Sequence, residues 1–310
     1  MAVTKILRDE DLNDSGLMAV AIEALEAAFL ARAGHRLIAP PRHHVSFGDR
    51  GDLVFTIGGI LGETPLAGFR VYETFGGADQ IVAVWSVDDA RLKGIVLGER
   101  LGSLRTGAIG GVAIRHLSAP DARSVGILGS GAQARSQLAA AAAVRKLERA
   151  RVFSPNENRR AAFAEEMERA LGLEVVPVGS AREAVDDADI VISATTSRTP
   201  VIHAADLKPG VHINTVGPKT RDGYELGLDI ADAAAVIATD SPEQTSAYAS
   251  PFFLAGSGHE HRMADLADIM AGRAGGRGSP EDTTLFCSVG LAGTEVVVAS
   301  AILDVLGASA

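Results

Sequence analysis

Three features of the sequence predict an α/β protein in two differently organised parts. The run Val125-Gly126-Ile127-Leu128 leads into Gly129-Ser130-Gly131-Ala132-Gln133-Ala134, a strand feeding a glycine turn and then an Ala-rich helix. From there short β-branched runs alternate with helical stretches, the pattern of a Rossmann-type doubly wound parallel sheet. Before it, strand-like runs follow one another without helices between them, which predicts a mixed or antiparallel sheet.

Taken in order, Ile22, Leu25, Phe29 and Ala33 recur at helical spacing and predict a scaffold helix that ends before Pro40-Pro41. Val45 and Phe47, then Leu53, Phe55 and Ile57, alternate as half-buried strands, with turns at 48–51 and at Gly58-Gly59. Further strands are expected at 66–74, 81–87 and 95–97. The small-residue stretch 103–116 reads as a tightly packed helix, and Pro120-Asp121 marks the entry to the second part. There the expected strands are 125–128, 151–154, 173–178, 189–195, 212–217 and 235–239, with helices at 132–144, 156–171 and 181–187. An irregular stretch follows Pro251-Phe252-Phe253, with a short helix at 263–270 and a Gly/Arg-rich loop at 272–278. The tail, 290–306, is a long apolar helix with Ala292, Val296, Ala299 and Leu303 on one face, suited to completing the first part or an oligomer interface.

A net charge of -10, with no basic block interleaved with aromatics, argues against a nucleic-acid partner. The sequence has neither a signal-peptide core near Met1 nor an apolar run of spanning length, so a cytoplasmic protein without a membrane partner is expected. Cys287 is the only cysteine, which rules out an intrachain disulfide and reads as a buried structural thiol. His43-His44 and His259-Glu260-His261 lack the helical spacing of a metal motif, so no metal is expected.

The glycine turn carries the first chemical expectation. Gly129 permits the tight turn, Gly131 leaves room for a pyrophosphate, and Ala134 allows close helix–strand packing. The helix opening at Ala132 and Gln133 then offers its free N–H groups to phosphate. Ser130 completes this expected dinucleotide cradle. The second strand ends in Phe153-Ser154-Pro155-Asn156, with Arg159 and Arg160 following and Glu157 displaced beyond the proline. A hydroxyl and arginines where an acid would bind a ribose 2′-OH lean towards NADP over NAD, with Ser154, Asn156 and Arg159 as contacts. Arg159 and Arg160 as plain solvated helix residues remain an equal alternative. His212, inside a strand, reads as structural. Asp240 either faces the crevice at the strand ends or caps the helix beginning at Pro242.

Five separated blocks then resemble the ornithine cyclodeaminase and mu-crystallin family. They are Leu104-Arg105-Thr106, the run Gly126 to Arg135, Val191 to Ser197, Gly210 to Gly217, and Thr284 to Ala292. The resemblance implies a split α+β substrate-binding and dimerisation domain, 1–117 with 291–310. Into it is inserted a Rossmann dinucleotide-binding domain, 118–290, and the assembly is a homodimer. Thr195, Val216 and Gly217 join the implied cofactor contacts. The implied substrate is a small α-amino or α-imino acid, its carboxylate gripped by Arg42 and Arg105.

Two positions depart from the family pattern. Arg70 stands where the family has a catalytic lysine, and a guanidinium is a poor proton donor. Lys219 stands where the family has a catalytic aspartate. Lys219 is therefore expected as the proton donor, with Asp222 orienting it and Arg70 helping to hold the substrate. Tyr72, Glu73 and Asp79 are further candidates for a proton source or counter-charge. These departures count against ornithine cyclodeamination, which must manage a distal ammonium, more than against hydride delivery to a preformed imine. The expected activity is thus an NAD(P)-dependent reductase or dehydrogenase of an imino or amino acid, such as pyrroline-2-carboxylate. The rivals are a cyclodeaminase-type lyase recycling NAD, and a crystallin-like protein that binds nucleotide or a small ligand with little catalysis.

Overall fold

Glycines decide how the first sheet is covered. The computed structural model describes residues 5–77, 79–248 and 250–307. The chain divides into one unit of Met1–Ala108 with Leu291–Ala310 and another of Ile109–Gly290. The first unit contains β1 (Lys5–Leu7), α1 (Leu17–Ala33), β2 (Leu37–Ile38), β3 (His43–Ser46), β4 (Asp52–Ile60), β5 (Leu66–Glu73), β6 (Gln80–Ser86) and β7 (Leu92–Leu97). It also contains the start of α2 (Arg100–Leu117), so the division falls inside that helix rather than after it. The strands form a seven-stranded sheet in the order β1-β7-β6-β5-β4-β2, with β3 also pairing β4. Only the β1–β7 pair is parallel.

The C-terminal helix, Thr294–Gly307, lies on one face of this sheet, and α1 packs against it. A Cβ on Gly68 would come 3.1 Å from the Val296 side chain, and one on Gly94 would come 2.6 Å from Leu303. The covered face is therefore built from small residues, and Val54, Thr56 and Gly58 of β4 point to it. This reverses the orientation expected from the alternation of Leu53, Phe55 and Ile57. That larger set lies on the other face, where Ile57 is 57% exposed and Ile81 43%. A helix that approaches closely needs the small alternate set beneath it, so the bulky set turns outward.

The second unit continues with β8 (Ser124–Leu128), α3 (Ala132–Val144), β9 (Arg149–Phe153), α4 (Glu157–Leu171), β10 (Glu174–Pro177), α5 (Ala181–Val185), β11 (Ile190–Ser193) and β12 (His212–Thr215). Then come the small hairpin β13 (Lys219–Thr220) and β14 (Gly223–Tyr224), α6 (Leu228–Ala233), β15 (Val236–Thr239), α7 (Pro242–Ser246), β16 (Met263–Asp265), α8 (Leu266–Met270) and β17 (Thr284–Cys287). The C-terminal helix is α9. The sheet runs β10-β9-β8-β11-β12-β17-β15-β16, and every pair in it is parallel. It has eight strands rather than the six expected. β17 carries no periodicity that would mark it as a strand, because its four residues are all fully buried and do not alternate. In place of the expected helix at 263–270, the chain forms β16 and then the short α8. Strand order reverses between β8 and β11, which puts the glycine turn at the topological switch point. Among the described residues no helix is long and apolar enough to cross a membrane.

A chain of buried polar groups ties this sheet to the second half of α2. Arg277 donates to Thr284 Oγ1 at 3.3 Å, Thr284 Oγ1 meets His212 Nδ1 at 2.8 Å, and His212 Nε2 meets Asn214 Oδ1 at 2.8 Å. Asn214 Nδ2 then donates to the Gly110 carbonyl at 3.1 Å. Burial drives the His212 pKa down from 6.5 to about 3, so the folded protein keeps this imidazole neutral. The unfolded chain therefore takes up a proton that the folded chain refuses. Stability must fall as pH drops from 6.5 towards about 3, with a slope of up to about 1.4 kcal/mol per unit. Urea unfolding measured across that window should show the decline in the native protein and a shallower one in His212→Gln. Identical slopes would contradict the assignment.

Candidate functional site

The second unit carries the glycine cradle. β8 ends at Leu128, and Gly129 turns the chain with φ of +104° while its N–H bonds the Phe153 carbonyl at 2.8 Å. A Cβ there would lie 2.3 Å from the Ala194 carbonyl oxygen, so the turn is pinned between the ends of β9 and β11 and admits only glycine. Gly131 is the N-cap of α3, and no atom lies within 4 Å of where its Cβ would be. Ala134 is fully buried, and Ala132 is exposed beside Gly131 at the opening of the helix. Gln133 Oε1 is screened from water and has no hydrogen-bond partner among the described residues. The open space at Gly131 and the N–H groups of a helix N-terminus fit a phosphate-bearing ligand.

At the end of β9, Ser154 is buried, and Ser130 Oγ donates to its hydroxyl at 3.0 Å. Asn156 caps α4 by accepting the Arg159 N–H at 2.9 Å, so its side chain is already engaged. Arg159 projects into solvent. Arg160 instead donates to the Ser154 carbonyl at 3.1 Å, with its guanidinium 5.9 Å from the Phe153 ring centroid. The arginine attached to the strand end is thus Arg160.

A buried carboxylate organises the other strand ends. Glu225, 1% exposed, accepts four hydrogen bonds: from Thr195 N–H (2.9 Å) and Oγ1 (2.8 Å), Thr215 Oγ1 (2.7 Å) and Gly217 N–H (2.6 Å). It therefore laces the segment after β11 to the segment after β12. Val216, half-buried, donates its N–H to the Ser193 carbonyl at 2.8 Å. Lys219 is buried in the same region and donates from Nζ to the Gly217 carbonyl at 2.5 Å. Burial lowers its pKa, and the negative charge of Glu225 and Asp240 works in the opposite direction. Asp222 is not what holds it: Asp222 is exposed in the β13–β14 turn, and its carbonyl accepts from Arg198. Asp240 is fully buried and accepts the N–H groups of Val289 (2.7 Å) and Gly290 (2.8 Å), while Ser241 caps α7. Cys287 is buried, and burial pushes its thiol up to about 12.

In the first unit, the expected substrate arginines gather on an acid that sequence reasoning missed. Glu295 lies in the first turn of α9 and is 1% exposed. Its Oε1 accepts from Arg70 Nη1 at 3.2 Å and from Arg105 Nη2 at 2.5 Å. Burial alone would raise its pKa, but the charges of Arg105, Arg70 and Arg42 prevail and hold the carboxyl below its ordinary range. Arg70 also donates to Gln80 Oε1 and stacks 4.4 Å from the Tyr72 ring centroid. Of the other candidates, Glu73 bonds the Phe75 N–H and Asp79 is exposed. The counter-charge is Glu295. Its signal was available in principle, as a lone acid inside the apolar run 290–303.

Fold and site define a two-unit α/β protein with a dinucleotide-type glycine turn on one unit and a buried arginine cluster on the other. The ornithine cyclodeaminase/mu-crystallin family model matches residues 2–309, and the chain belongs to that family. It is 35% identical over 210 residues to a Delta(1)-pyrroline-2-carboxylate reductase of Bacillus cereus, covering 65% of this chain and 63% of the relative. The chain thus spans less than two thirds of the length of the first curated relatives it matches. The Thermococcus litoralis Delta(1)-pyrroline-2-carboxylate reductase, solved with NADH and L-proline, superposes with a TM-score of 0.86 at 30% identity, covering 98% of each chain. An archaeal alanine dehydrogenase dimer with bound NAD superposes with a TM-score of 0.85 at 26% identity, covering 99% of this chain and 97% of that one.

The Glu225 network can be checked directly. Glu225→Gln keeps the shape but turns an amide N–H₂ towards donors, so it should lower the unfolding free energy by about 3 kcal/mol or more. Urea denaturation measures this. A change below about 0.5 kcal/mol would mean that the carboxylate does not bind these strand ends together.

Proposed function

We propose that this chain is an NAD(P)-dependent oxidoreductase of a small α-imino or α-amino acid, reducing a ketimine such as a cyclic imino acid or running the reverse dehydrogenation. The observation that carries this reading is the gathering of Arg70 and Arg105 on Glu295, with Arg42 near enough to act on its charge, in a chain that also carries the glycine cradle. Guanidinium forks suit a carboxylate. The reductase and alanine dehydrogenase relatives, one of them solved with NADH and L-proline, support the same reading.

Gly129, Ser130, Gly131, Ala132 and Gln133 would hold the pyrophosphate. Thr195, Val216 and Gly217 would hold it from the neighbouring strand ends, and Ser154 with Arg160 and Arg159 would take the adenosine ribose. A hydroxyl and cations there favour NADP over NAD. When bound, the nicotinamide supplies or takes up the hydride. Arg42, Arg70 and Arg105 orient the substrate carboxylate. Lys219 Nζ gives its proton to the imine nitrogen, which makes the α-carbon electrophilic, and the Gly217 carbonyl keeps the ammonium in place. Arg70 serves as a fixed cation rather than a proton shuttle.

The test mixes purified protein with NADPH or NADH and a panel of imino acids. Stoichiometric loss of reduced cofactor with formation of the amino acid is expected, faster with NADPH. Ornithine converted with release of ammonia and no net redox change would overturn the reading in favour of a recycling lyase. Nucleotide binding without any turnover would favour a binding protein.

Lys219→Met should cut turnover at least ~100-fold while leaving cofactor affinity unchanged. Because burial lowers the lysine's pKa and the protonated form is the donor, native activity should decline with rising pH well before an ordinary lysine would titrate. Unchanged turnover in Lys219→Met would remove it from the mechanism.

The outward face of the first sheet, with Ile57 and Ile81, supports a homodimer. Ile57→Lys should shift the species seen by light scattering from dimer to monomer. A native protein already monomeric at working concentration would refute this assembly.

A further inference from the structure

Arg70 is held from every side. Nε and Nη2 donate to Gln80 Oε1 at 3.1 and 2.5 Å, Nη1 donates to Glu295 Oε1 at 3.2 Å, and the Tyr72 ring lies against the guanidinium. Gly102 of α2 backs it so closely that a Cβ there would fall 2.7 Å from Nη2. A guanidinium has five N–H bonds, so each terminal nitrogen of Arg70 keeps one for a ligand. Exposure orders the group: the Arg70 side chain is 11% exposed, Arg105 5% and Glu295 2%. Arg70 is the most accessible of the three, and Arg105 and the carboxylate lie deeper.

Glu295 is also incompletely satisfied. Both arginines meet Oε1, whereas Oε2 is screened from water and has no hydrogen-bond partner among the described residues. An ion pair selected for stability alone would satisfy both oxygens, because a buried carboxylate with an idle oxygen keeps its desolvation cost. An anion that anchors one N–H of each of two cations needs only the shared oxygen. The idle one leaves an acceptor for either fork to turn towards when a ligand carboxylate arrives.

We propose that Glu295 is the positioning residue of a two-arginine carboxylate clamp, setting the forks of Arg70 and Arg105 in one orientation before the substrate arrives. This rests on the reading of the chain as an enzyme of a carboxylate-bearing imino acid. Without the anion, the two guanidinium groups repel each other and lose their shared anchor at Oε1, so the substrate carboxylate must bring them into register as it binds. The loss falls on binding. Hydride and proton transfer are untouched once the substrate is seated.

The test measures steady-state kinetics together with calorimetric binding of pyrrole-2-carboxylate, a planar and unreactive monocarboxylate, to the cofactor-loaded protein. Glu295→Gln should raise KM and the probe Kd about 30-fold or more, with kcat within about 3-fold and cofactor Kd unchanged. Glu295→Asp keeps the charge but shortens the reach by one methylene, and should raise both about 5-fold at an unaltered melting temperature. If Glu295→Gln does not fold, Glu295→Asp decides alone: unchanged KM and probe Kd overturn the positioning role. Loss of probe binding in Arg105→Met alongside native affinity in Glu295→Gln also overturns it, while sparing the functional reading. A native protein that binds no probe and reduces no imino acid overturns both.

Discussion

Every strand of a parallel sheet delivers its C-terminal amides and hydroxyls to the same edge, and in this protein one carboxylate collects those of two neighbouring strands. Glu225 takes donors from both the β11 and β12 ends. The consequences spread outward. Gly217 must lack a side chain because a Cβ there would meet Glu225 Oε2 at 2.3 Å. The Gly217 carbonyl, fixed by that contact, is then where Lys219 places its ammonium. One desolvated charge thus determines a glycine, a loop conformation and the setting of a lysine.

The same solution recurs. Asp240 gathers the N–H groups that follow β17, and Glu295 gathers guanidinium groups on α9. Each acid is nearly or fully buried and each receives charge or N–H donors instead of water, as a buried anion requires. They differ in completeness. Both Asp240 oxygens and both Glu225 oxygens are bonded, whereas Glu295 leaves one idle. The fully bonded pair suits fixed architecture, and the partly bonded one suits a group that must accommodate an arrival.

What the sequence made legible was local. The strand, turn and helix from Val125 onward lie within one short stretch, and glycine spacing constrains backbone directly. The positions of Arg70 and Lys219 were likewise readable as departures from a family pattern. Their partners were not: Glu295 is brought to Arg70 by tertiary folding and Gln80 by strand pairing, while the β13–β14 hairpin sets Glu225, rather than Asp222, near Lys219. Asp222 looked like the natural companion of Lys219 only by proximity in the chain, and a two-strand turn carries it into solvent. Arg159 and Arg160 could not be separated without helix phase, which aims one outward and the other back at Ser154. The orientation of β4 failed for a related reason: alternation says that two faces differ, but which one is covered depends on a helix more than 200 residues later.

The position of β17 has a consequence for how the chain reaches its native state. This strand is the last of its unit to be made, yet it lies between β12 and β15 in the middle of the sheet. During synthesis the β10-β9-β8-β11-β12 half can pair as it emerges, while β15 and β16 must wait without their inner neighbour. The first sheet waits too, since α9, which lies on its glycine-lined face, comes later still. Both units therefore close only once β17 and α9 have been made, through contacts of very high sequence separation. A chain stopped just before Thr284 would carry an open parallel edge at β12 and an uncovered sheet, the two surfaces most prone to misassociation.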